Sequence, residues 1–298
     1  MANINDATLQ DLNKQLNAKW TAAFEAPPQT QLQAIATQYT SSTASNHYAF
    51  MEAMGGWSEW NGARQFKDVA SQQFEVKNKD YEMSLKMPKN QIEDDQAGMY
   101  TGLVPSMVAG WFKKQEQLVR DVLVTNPVAY DGAALFGTTR KYGSNTISNY
   151  ATGALTATTF ETARVAMMSY LDAAGEPLAV KPDTLIVGPK LEKTAFDIVK
   201  NYFGYDGTDK VQIENFYAMT GTRIIVSPYL IGTYDDYWFL ADTTDIVKGV
   251  LLQIREVPTP VLSNAQEVAR NKTIDYMADG RMAAAAGAPH KIYGAYVS

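Results

Sequence analysis

Three consecutive acidic residues, Glu93, Asp94 and Asp95, form the densest group in this sequence that could support chemistry. Carboxylate oxygens bind Mg²⁺ and Ca²⁺, so the triplet could hold a divalent cation that activates water for hydrolysis. The acids also precede a helical pattern, where an acidic cap and the positive end of the helix dipole favour negative side chains. We therefore expect a helix cap or an ion pair between subunits, and a metal-dependent hydrolase is the remote alternative.

The other signatures of catalysis are absent from the sequence. The chain has two histidines, His47 and His290, and no cysteine, which excludes thiol nucleophiles, disulfides and thiolate zinc sites. Neither histidine lies where a strand-to-helix turn would present a base to a nucleophile, and we interpret both as solvated loop or interface residues. No G-x-G, P-loop or G-x-S-x-G pattern occurs. We expect no catalytic residue, no bound metal, no cofactor and no enzyme activity.

Composition sets further bounds on the class of protein. Hydrophobic residues make up 46% of the 298 residues and charged residues 19%, which predicts a globular chain with a sizeable core. The net charge of −6 argues against a dedicated nucleic-acid binder, so we expect any DNA to be enclosed rather than gripped. The most apolar uncharged run, Gln96 to Phe112, contains Pro105 and is shorter than the roughly 20 apolar residues that span a bilayer. The first residues lack the pattern of a secretion signal, and we expect no membrane association.

The N-terminal region is predicted to form an arm. Apolar residues at four-residue spacing predict a helix from Ala7 to Phe24, and Pro27-Pro28 follows it. No residue in 26–51 is charged, which is unusual for a solvated surface. We expect this segment to lie along another surface.

Two indoles and a guanidinium come next, among glycines: Trp57, Trp60 and Arg64. Trp and Arg are enriched among the residues that dominate the energetics of interfaces. A core Trp beside a turn is an equally good interpretation of the tryptophans alone. We predict that the three residues contribute to a subunit interface.

Apolar residues then alternate with polar ones on both sides of Lys77-Asn78-Lys79-Asp80, which predicts a two-stranded β-hairpin. A lone hairpin is marginally stable in water, so either a distant part of the chain or a neighbouring subunit must cover its apolar face. We favour the neighbouring subunit. The predicted interface residues of the hairpin and the acidic triplet are Phe74, Val76, Tyr81, Met83, Leu85, Glu93, Asp94 and Asp95.

The remaining pattern predicts helices and strands in alternation. Apolar pairs at three-to-four-residue spacing predict a long helix that starts near Gly98 and stops at Asn126-Pro127. A capping box at Thr158 to Glu161 predicts the start of another helix, and Thr184 to Val187 is predicted to form an apolar strand. No linker separates these parts, so we expect two subdomains that share a core.

The order of these features resembles the Mu-like phage major head subunit family, the gpT type, and through it the Hong Kong 97 capsid fold. The resemblance covers nearly the whole chain, and its strength lies in the order of motifs that are individually weak. The motifs are Trp60-Asn61-Gly62-Ala63-Arg64, Glu93-Asp94-Asp95 with Gly98 and Tyr100, Tyr130-Asp131-Gly132 with Phe136, and Gly280-Arg281 with the Ala/Gly run.

The resemblance implies an α+β fold of the Hong Kong 97 type. Its domains would be an N-terminal arm (1–56), an extended hairpin loop (57–96), a peripheral domain with a spine helix (97–159), an axial domain (160–265) and a C-terminal return to the peripheral domain (266–298). The hairpin loop would lie over an adjacent subunit. In some shells of this fold an isopeptide bond joins a lysine of the hairpin to an asparagine of a neighbouring subunit. Lys77 or Lys79 could supply that lysine, although charges at the tip of a hairpin are more commonly solvated.

The function implied is that of a major capsid protein of a tailed bacteriophage or prophage. Copies would form the pentamers and hexamers of an icosahedral shell, assembled in the host bacterial cytoplasm and present in the virion, around double-stranded DNA that is not specifically recognised. Scaffolding, portal and decoration proteins would be further partners. The alternative within this fold is an encapsulin-like nanocompartment, which encloses enzyme cargo instead of DNA.

Overall fold

The structure is a computed structural model that describes residues 6–43, 45–49, 73–94, 97–201, 203–205 and 212–297. None of the helices in these ranges is long and apolar enough to cross a bilayer. The α-helices are α1 (Asp6–Glu25), α2 (Lys89–Glu93), α3 (Ala97–Thr101), α4 (Val104–Thr125), α5 (Ala157–Met168), α6 (Glu192–Val199), α7 (Phe216–Met219) and α8 (Ala265–Asn271). The β-strands are β1 (Ala36–Thr40), β2 (Ser45–Ala49), β3 (Gln73–Lys77), β4 (Lys79–Pro88), β5 (Arg140–Tyr142), β6 (Asn145–Ile147), β7 (Tyr150–Ala151), β8 (Thr184–Val187), β9 (Phe203–Tyr205), β10 (Gln212–Glu214), β11 (Arg223–Val226), β12 (Trp238–Ala241), β13 (Val250–Leu262), β14 (Thr273–Ala286) and β15 (Ile292–Ala295).

A four-stranded sheet has the order β1-β13-β14-β4. β1 runs parallel to β13, and the other neighbours are antiparallel. The long strands β13 and β14 are connected through α8, which begins with a capping box formed by Asn264 and Glu267. A bulge between Glu256 and Thr259 bends β13, whereas the β14–β4 register has no shift along its whole length.

A five-stranded sheet has the order β11-β8-β12-β15-β7. Residues 184–187 are buried along their whole length, as the apolar run predicts for a central strand. One face of this sheet packs against α5 and α6, through the cluster that contains Trp238, Phe160 and Ile198. The other face packs against the C-terminal half of α4.

The long helix α4 connects the two sheets through the core. Val119 and Leu123 in its second half are fully buried with residues of the five-stranded sheet, and Val104 and Val108 in its first half pack with α1 and the four-stranded sheet. A side chain at Gly280 of β14 would collide with the Trp111 ring, so glycine there lets the helix approach the sheet closely. The predicted end of the helix is confirmed.

Three local predictions need correction or adjustment. α4 ends at Asn126 in a left-handed conformation with φ 49° before Pro127, as predicted, but it begins at Val104 after the separate short helix α3. The capping box of α5 is formed by Thr156 and Thr159, two residues before the predicted position, because a threonine at N3 replaces the expected acid. α1 spans one residue more at each end than predicted.

The predicted hairpin around residues 77–80 is wrong. β3 pairs with β2, and β4 pairs with β14, so the two strands separated by Asn78 belong to different sheets. Asn78 anchors the bend, since its side chain donates to Thr43 O at 3.1 Å and accepts from Gln253 at 2.7 Å. The alternating pattern correctly identifies both strands, but it carries no information on which strand is the partner.

The sheets also cross the predicted domain boundaries. β13 lies inside the predicted axial range 160–265 yet belongs to the four-stranded sheet, and β15 lies inside the predicted return 266–298 yet belongs to the five-stranded sheet. The described part of the chain therefore passes between the two sheets more than once after residue 240. This exchange of strands is the reason that the subdomains share a core.

Asn149 ties together the strands and turns beside this shared core. Its side chain has no exposed surface, accepts from Gly137 N at 2.9 Å and donates to the carbonyl oxygens of Leu135, Pro289 and Ile292.

We expect Asn149→Ala to lower the free energy of unfolding by about 3 kcal/mol, since it leaves several buried backbone groups without partners. Urea denaturation followed by circular dichroism measures this change. The exposed Asn90→Ala is the matched control and should shift stability by less than about 0.5 kcal/mol, and equal effects of the two substitutions would contradict the assignment.

Candidate subunit interface

The face of β4 that points towards α4 carries three of the predicted interface residues. Lys114 of α4 places its ammonium group 5.1 Å from the ring centroid of Tyr81, and Leu85 packs on the cluster that contains α1 and α4. Met83 is the most accessible of the three, with 47% of its surface exposed. Leu85 and Tyr81 therefore contribute mainly to the subunit itself, and Met83 is available for an external contact.

An apolar cleft opens between β4 and α4. It has a volume of about 320 Å³, and its walls include the rings of Trp20, Tyr81 and Trp111 and the side chain of Met83. Gly110 leaves room at its base, because a Cβ there would lie 3.3 Å from the Met83 sulfur. The spacing of the sequence pattern did not reveal this cleft, because its walls come from distant segments.

Val76 was predicted to lie at a subunit interface, and this prediction is wrong. Its side chain is 4% exposed and packs against Leu251 and Ala283 on the face of β13 and β14. Phe74 packs against the same cluster and is partly buried. The covering surface is therefore a distant part of the same chain, which was the other possibility for the apolar face of this segment.

The first two acids of the triplet, Glu93 and Asp94, lie at the end of helix α2. Glu93 is the last residue of α2 and pairs with Lys89 one turn earlier, at 3.4 Å, while Asp94 is the exposed C-terminal cap. An acid at this end of a helix gains nothing from the helix dipole, so the predicted cap is wrong for both residues. Asp95 lies outside the described residues. Within the described part of the chain, no three His, Asp or Glu side chains are grouped as a metal site would need.

The tryptophan and arginine cluster, Trp57, Trp60 and Arg64, also lies outside the described residues. His47 is in β2. His290 is partly buried, and its Nδ1 lies 2.9 Å from the hydroxyl group of Tyr142. Burial lowers the pKa of His290 to about 4, with the neighbouring Lys291 charge adding to the effect, so the imidazole is neutral at pH 7. The first of the two interpretations, a solvated loop residue, is therefore wrong for His290, and the interface alternative stays a prediction.

Two buried cations, Arg140 and Lys291, form ion pairs that were not predicted from the sequence. Arg140 donates to the Asp131 carboxylate and to backbone carbonyls, and Lys291 Nζ lies 2.9 Å from Asp242 and 2.7 Å from Asp245. Burial disfavours the Asp242 carboxylate, but hydrogen bonds from Thr244 and Lys291 hold its pKa below the ordinary value. The Asp131 motif was a signal for the first pair, whereas the second joins residues 49 positions apart without any local signal.

Large apolar side chains are also exposed on the helices beside the five-stranded sheet. Phe196 on α6 is 54% exposed, and Phe216 and Met219 on α7 are 68% and 57% exposed. α6 and α7 contact each other, so these side chains belong to neighbouring elements. Apolar periodicity alone does not distinguish a core face of a helix from an exposed one, so no local pattern in the sequence indicated this surface.

The N-terminal arm is held to α4 by buried polar contacts. Glu116 accepts hydrogen bonds from Leu32 N at 3.2 Å and Gln33 N at 3.1 Å, at the start of a single 3₁₀ turn. Gln115 accepts from the Gln33 side chain at 2.6 Å. Burial raises the pKa of Glu116, and the hydrogen bonds from the arm oppose that rise. The carboxylate therefore caps the turn while it is largely removed from water.

A loop that follows β12 holds the next part of the arm. Thr37 donates to Ile246 O at 2.8 Å and accepts from Lys248 N at 2.8 Å, and Lys248 Nζ donates to Ala34 O at 2.7 Å. The arm is therefore fastened by α4 on one side and by this loop on the other, at the point where β1 begins to pair with β13.

Substitution of Glu116 separates its capping role from its charge. Glu116→Ala leaves the two arm N–H groups without an acceptor and should lower the free energy of unfolding by about 1 to 2 kcal/mol.

Because the pKa of Glu116 is raised in the folded state, the carboxyl group favours folding most at pH values below its unfolded pKa, and it loses this contribution as pH rises through the folded pKa. Glu116→Gln should therefore gain stability relative to the unsubstituted chain as pH rises from 4 to 8, in urea titrations. Parallel pH profiles of the two proteins would contradict this account.

Comparison with known proteins places this geometry in a family. The family model described as "Phage capsid protein" matches residues 89–298, and that described as "Mu-like prophage major head subunit gpT" matches residues 9–154. The "Mu-like prophage FluMu major head subunit" of Haemophilus influenzae is 32% identical over 118 residues, which cover 39% of this chain and 38% of the relative. The "Major capsid protein" of Escherichia phage Mu is 28% identical over 131 residues, 41% of this chain and 42% of the relative. The aligned region thus spans about two fifths of the length of these curated relatives.

A solved structure shares the fold along almost the entire chain. The subunit in the procapsid of bacteriophage JBD30 superposes with a TM-score of 0.59 at 20% identity, and the match covers 99% of this chain and 77% of that one. The predicted α+β fold of the Hong Kong 97 type is therefore confirmed. Since the first family model spans most of the sequence and the second spans its N-terminal half, this chain belongs to the phage capsid protein family, with the Mu-like major head subunits as its relatives.

Proposed function

We propose that this chain is the major capsid protein of a tailed bacteriophage or prophage. Its copies assemble into the pentamers and hexamers of an icosahedral shell that encloses double-stranded DNA. Assembly takes place in the cytoplasm of the host bacterium, and scaffolding, portal and decoration proteins are the further partners. The observation that carries the proposal is the likeness of the whole chain to a phage procapsid subunit.

The rigidity of the subunit supports this role. A closed shell needs subunits whose contact surfaces keep a fixed relative orientation, because small angular errors accumulate around a ring. α4 is buried in the cores of both sheets, so the surfaces at its two ends are coupled through one helix. A protein interior is close-packed and resists such deformation.

Several large apolar side chains on the described surface are exposed and available for contacts between copies. Phe196, Phe216 and Met219 lie beside the five-stranded sheet, and Met83 and Met277 lie on the four-stranded sheet. Met, Phe and other large apolar residues are enriched at the centres of interfaces. Exposed apolar surface beside both sheets suits a subunit that contacts several neighbouring copies.

The charge of the chain suits a container. The net charge of −6 provides no strongly basic wall that would hold packed DNA with salt-dependent affinity. DNA is therefore enclosed without recognition of its sequence, and it can leave the shell without a large electrostatic cost.

Electron microscopy tests the proposal directly. Purified full-length protein, examined by negative stain, should form closed particles, and particles isolated from host cells should protect DNA from nuclease. A chain that stays monomeric at every concentration and ionic strength would contradict the shell function. Particles that contain protein cargo and no DNA would instead support the nanocompartment.

Substitution of the interface cluster tests which residues close the shell. We expect Trp60→Ala or Arg64→Ala to give a soluble, folded subunit that no longer forms closed particles, because truncation of an interface anchor typically costs 2 kcal/mol or more. Trp60→Phe and Arg64→Lys are the matched controls and should retain more assembly. Normal particles from both alanine variants would show that this cluster is not an interface anchor.

A further inference from the structure

The outer edge of β4 is a long open strand edge. β4 spans ten residues, pairs with β14 on one side only, and has no strand on its other side within the part of the chain that the structure describes. The other edge strands of the two large sheets, β1, β11 and β7, have five, four and two residues. Long edges without a bulge are templates for pairing with another chain, and proteins that remain monomeric usually block them.

The register shows which backbone groups of β4 face outward. Lys89 follows β4 directly and lies opposite Lys272, and its N–H donates to Lys272 O at 3.1 Å. Because hydrogen-bonded and non-hydrogen-bonded pairs alternate in an antiparallel ladder, the odd-numbered residues of β4 direct their N–H and C=O groups towards β14. The backbone groups that point away from β14 therefore belong to the even-numbered residues. Pro88, at the end of the strand, has no N–H group. The outward residues are Asp80, Glu82, Ser84, Lys86 and Pro88.

The side chains of the outward residues carry an unbalanced charge pattern. Glu82 lies opposite Asp279 in the ladder, and like charges in directly opposed positions destabilise an antiparallel pair. Glu82 accepts a hydrogen bond from Ser84 at 3.0 Å, and no cation lies within 4 Å of it among the described residues. Lys86 lies opposite Asp275 in the ladder without a salt bridge at 4 Å, and Asp80 is paired with Arg281. The edge thus presents an acid and a lysine four residues apart, whose charges complement each other when two copies of the edge are placed antiparallel.

We propose that two copies of this chain pair along their β4 edges, antiparallel and about a two-fold axis that passes beside Ser84. In this register Glu82 lies opposite Lys86 of the partner subunit, twice by symmetry, and Met83 lies opposite Leu85 of the partner subunit on the other face. The contact is isologous and joins the two four-stranded sheets into one continuous sheet. It covers the exposed Met83 side chain and brings a cation to the Glu82–Asp279 pair.

The inference rests on the proposed shell function, because an icosahedral shell has two-fold axes between neighbouring rings of subunits. It adds to that function by identifying the strand that bridges one ring to the next. The outward-facing backbone groups of both strands become hydrogen-bonded in this arrangement, which is the usual source of affinity in strand addition.

A single cysteine tests the axis, since the chain has none of its own. Opposed residues in a hydrogen-bonded antiparallel pair have Cα atoms about 5.5 Å apart, within the range of a disulfide. Full-length Ser84→Cys, assembled and then oxidised, should run mainly as a dimer of the 32.9 kDa chain on a non-reducing gel. Ser169→Cys, at an exposed serine after α5, is the matched control and should remain monomeric. Equal dimer yields from the two variants would overturn the pairing.

Charge exchange tests the register in the Ser84→Cys background. Glu82→Lys or Lys86→Glu alone places like charges in both symmetric pairs and should lower the dimer yield roughly tenfold. The double exchange restores opposite charges and should restore the yield. A double variant that is no better than either single one would overturn the register.

Micrographs of the same samples separate this inference from the shell function. Closed shells of reduced Ser84→Cys that yield no disulfide dimer on oxidation would overturn the β4 pairing and leave the shell function standing. A disulfide dimer together with an unsubstituted chain that never forms shells would support the pairing and overturn the shell function.

Discussion

Helix α4 buries its two halves in two different hydrophobic clusters, and the rest of the fold is arranged around this constraint. Its second half lies between the five-stranded sheet and one end of the four-stranded sheet, and its first half lies with α1 and the other end of the four-stranded sheet. The close approach at Gly280 is possible only because no side chain separates the Trp111 ring from β14. Neither sheet can rotate against the other without opening one of these clusters, which is the property that a shell subunit needs.

The N-terminal segment is attached to this rigid body by apolar burial and by hydrogen bonds. Leu16 and Trp20 of α1 pack with the first half of α4, and Leu32 and Ile35 are buried with its second half. Hydrogen bonds to the Glu116 carboxylate and to the loop after β12 satisfy backbone groups of the same segment. Because the net gain from a hydrogen bond is small, the apolar contacts supply most of the stabilisation and the hydrogen bonds fix the path of the chain.

The two segments that flank residue 78 differ in their surfaces. The segment before residue 78 packs onto the four-stranded sheet through Val76, whereas β4 leaves a whole strand edge open within the described part of the chain. The apolar alternation is similar in both segments, and only the pairing separates an internal surface from an external one. Pairing of β4 with a second copy would convert the open edge from a liability for aggregation into a specific contact, because the charge pattern admits few registers.

Much of this protein was determined by its sequence alone. The buried strand at residues 184–187, the end of α4 at Asn126 and the family resemblance all follow from local patterns, because apolar periodicity and left-handed caps act over a few residues. The partner of β4, the internal burial of Val76 and the capping of the arm by Glu116 were decided only by the tertiary structure. β4 and its partner strand are about 200 residues apart, as the Asp80–Arg281 contact shows, and a pattern of alternation is satisfied by any strand that covers its apolar face. Such long-range pairing depends on the whole core closing at once, which no local signal encodes.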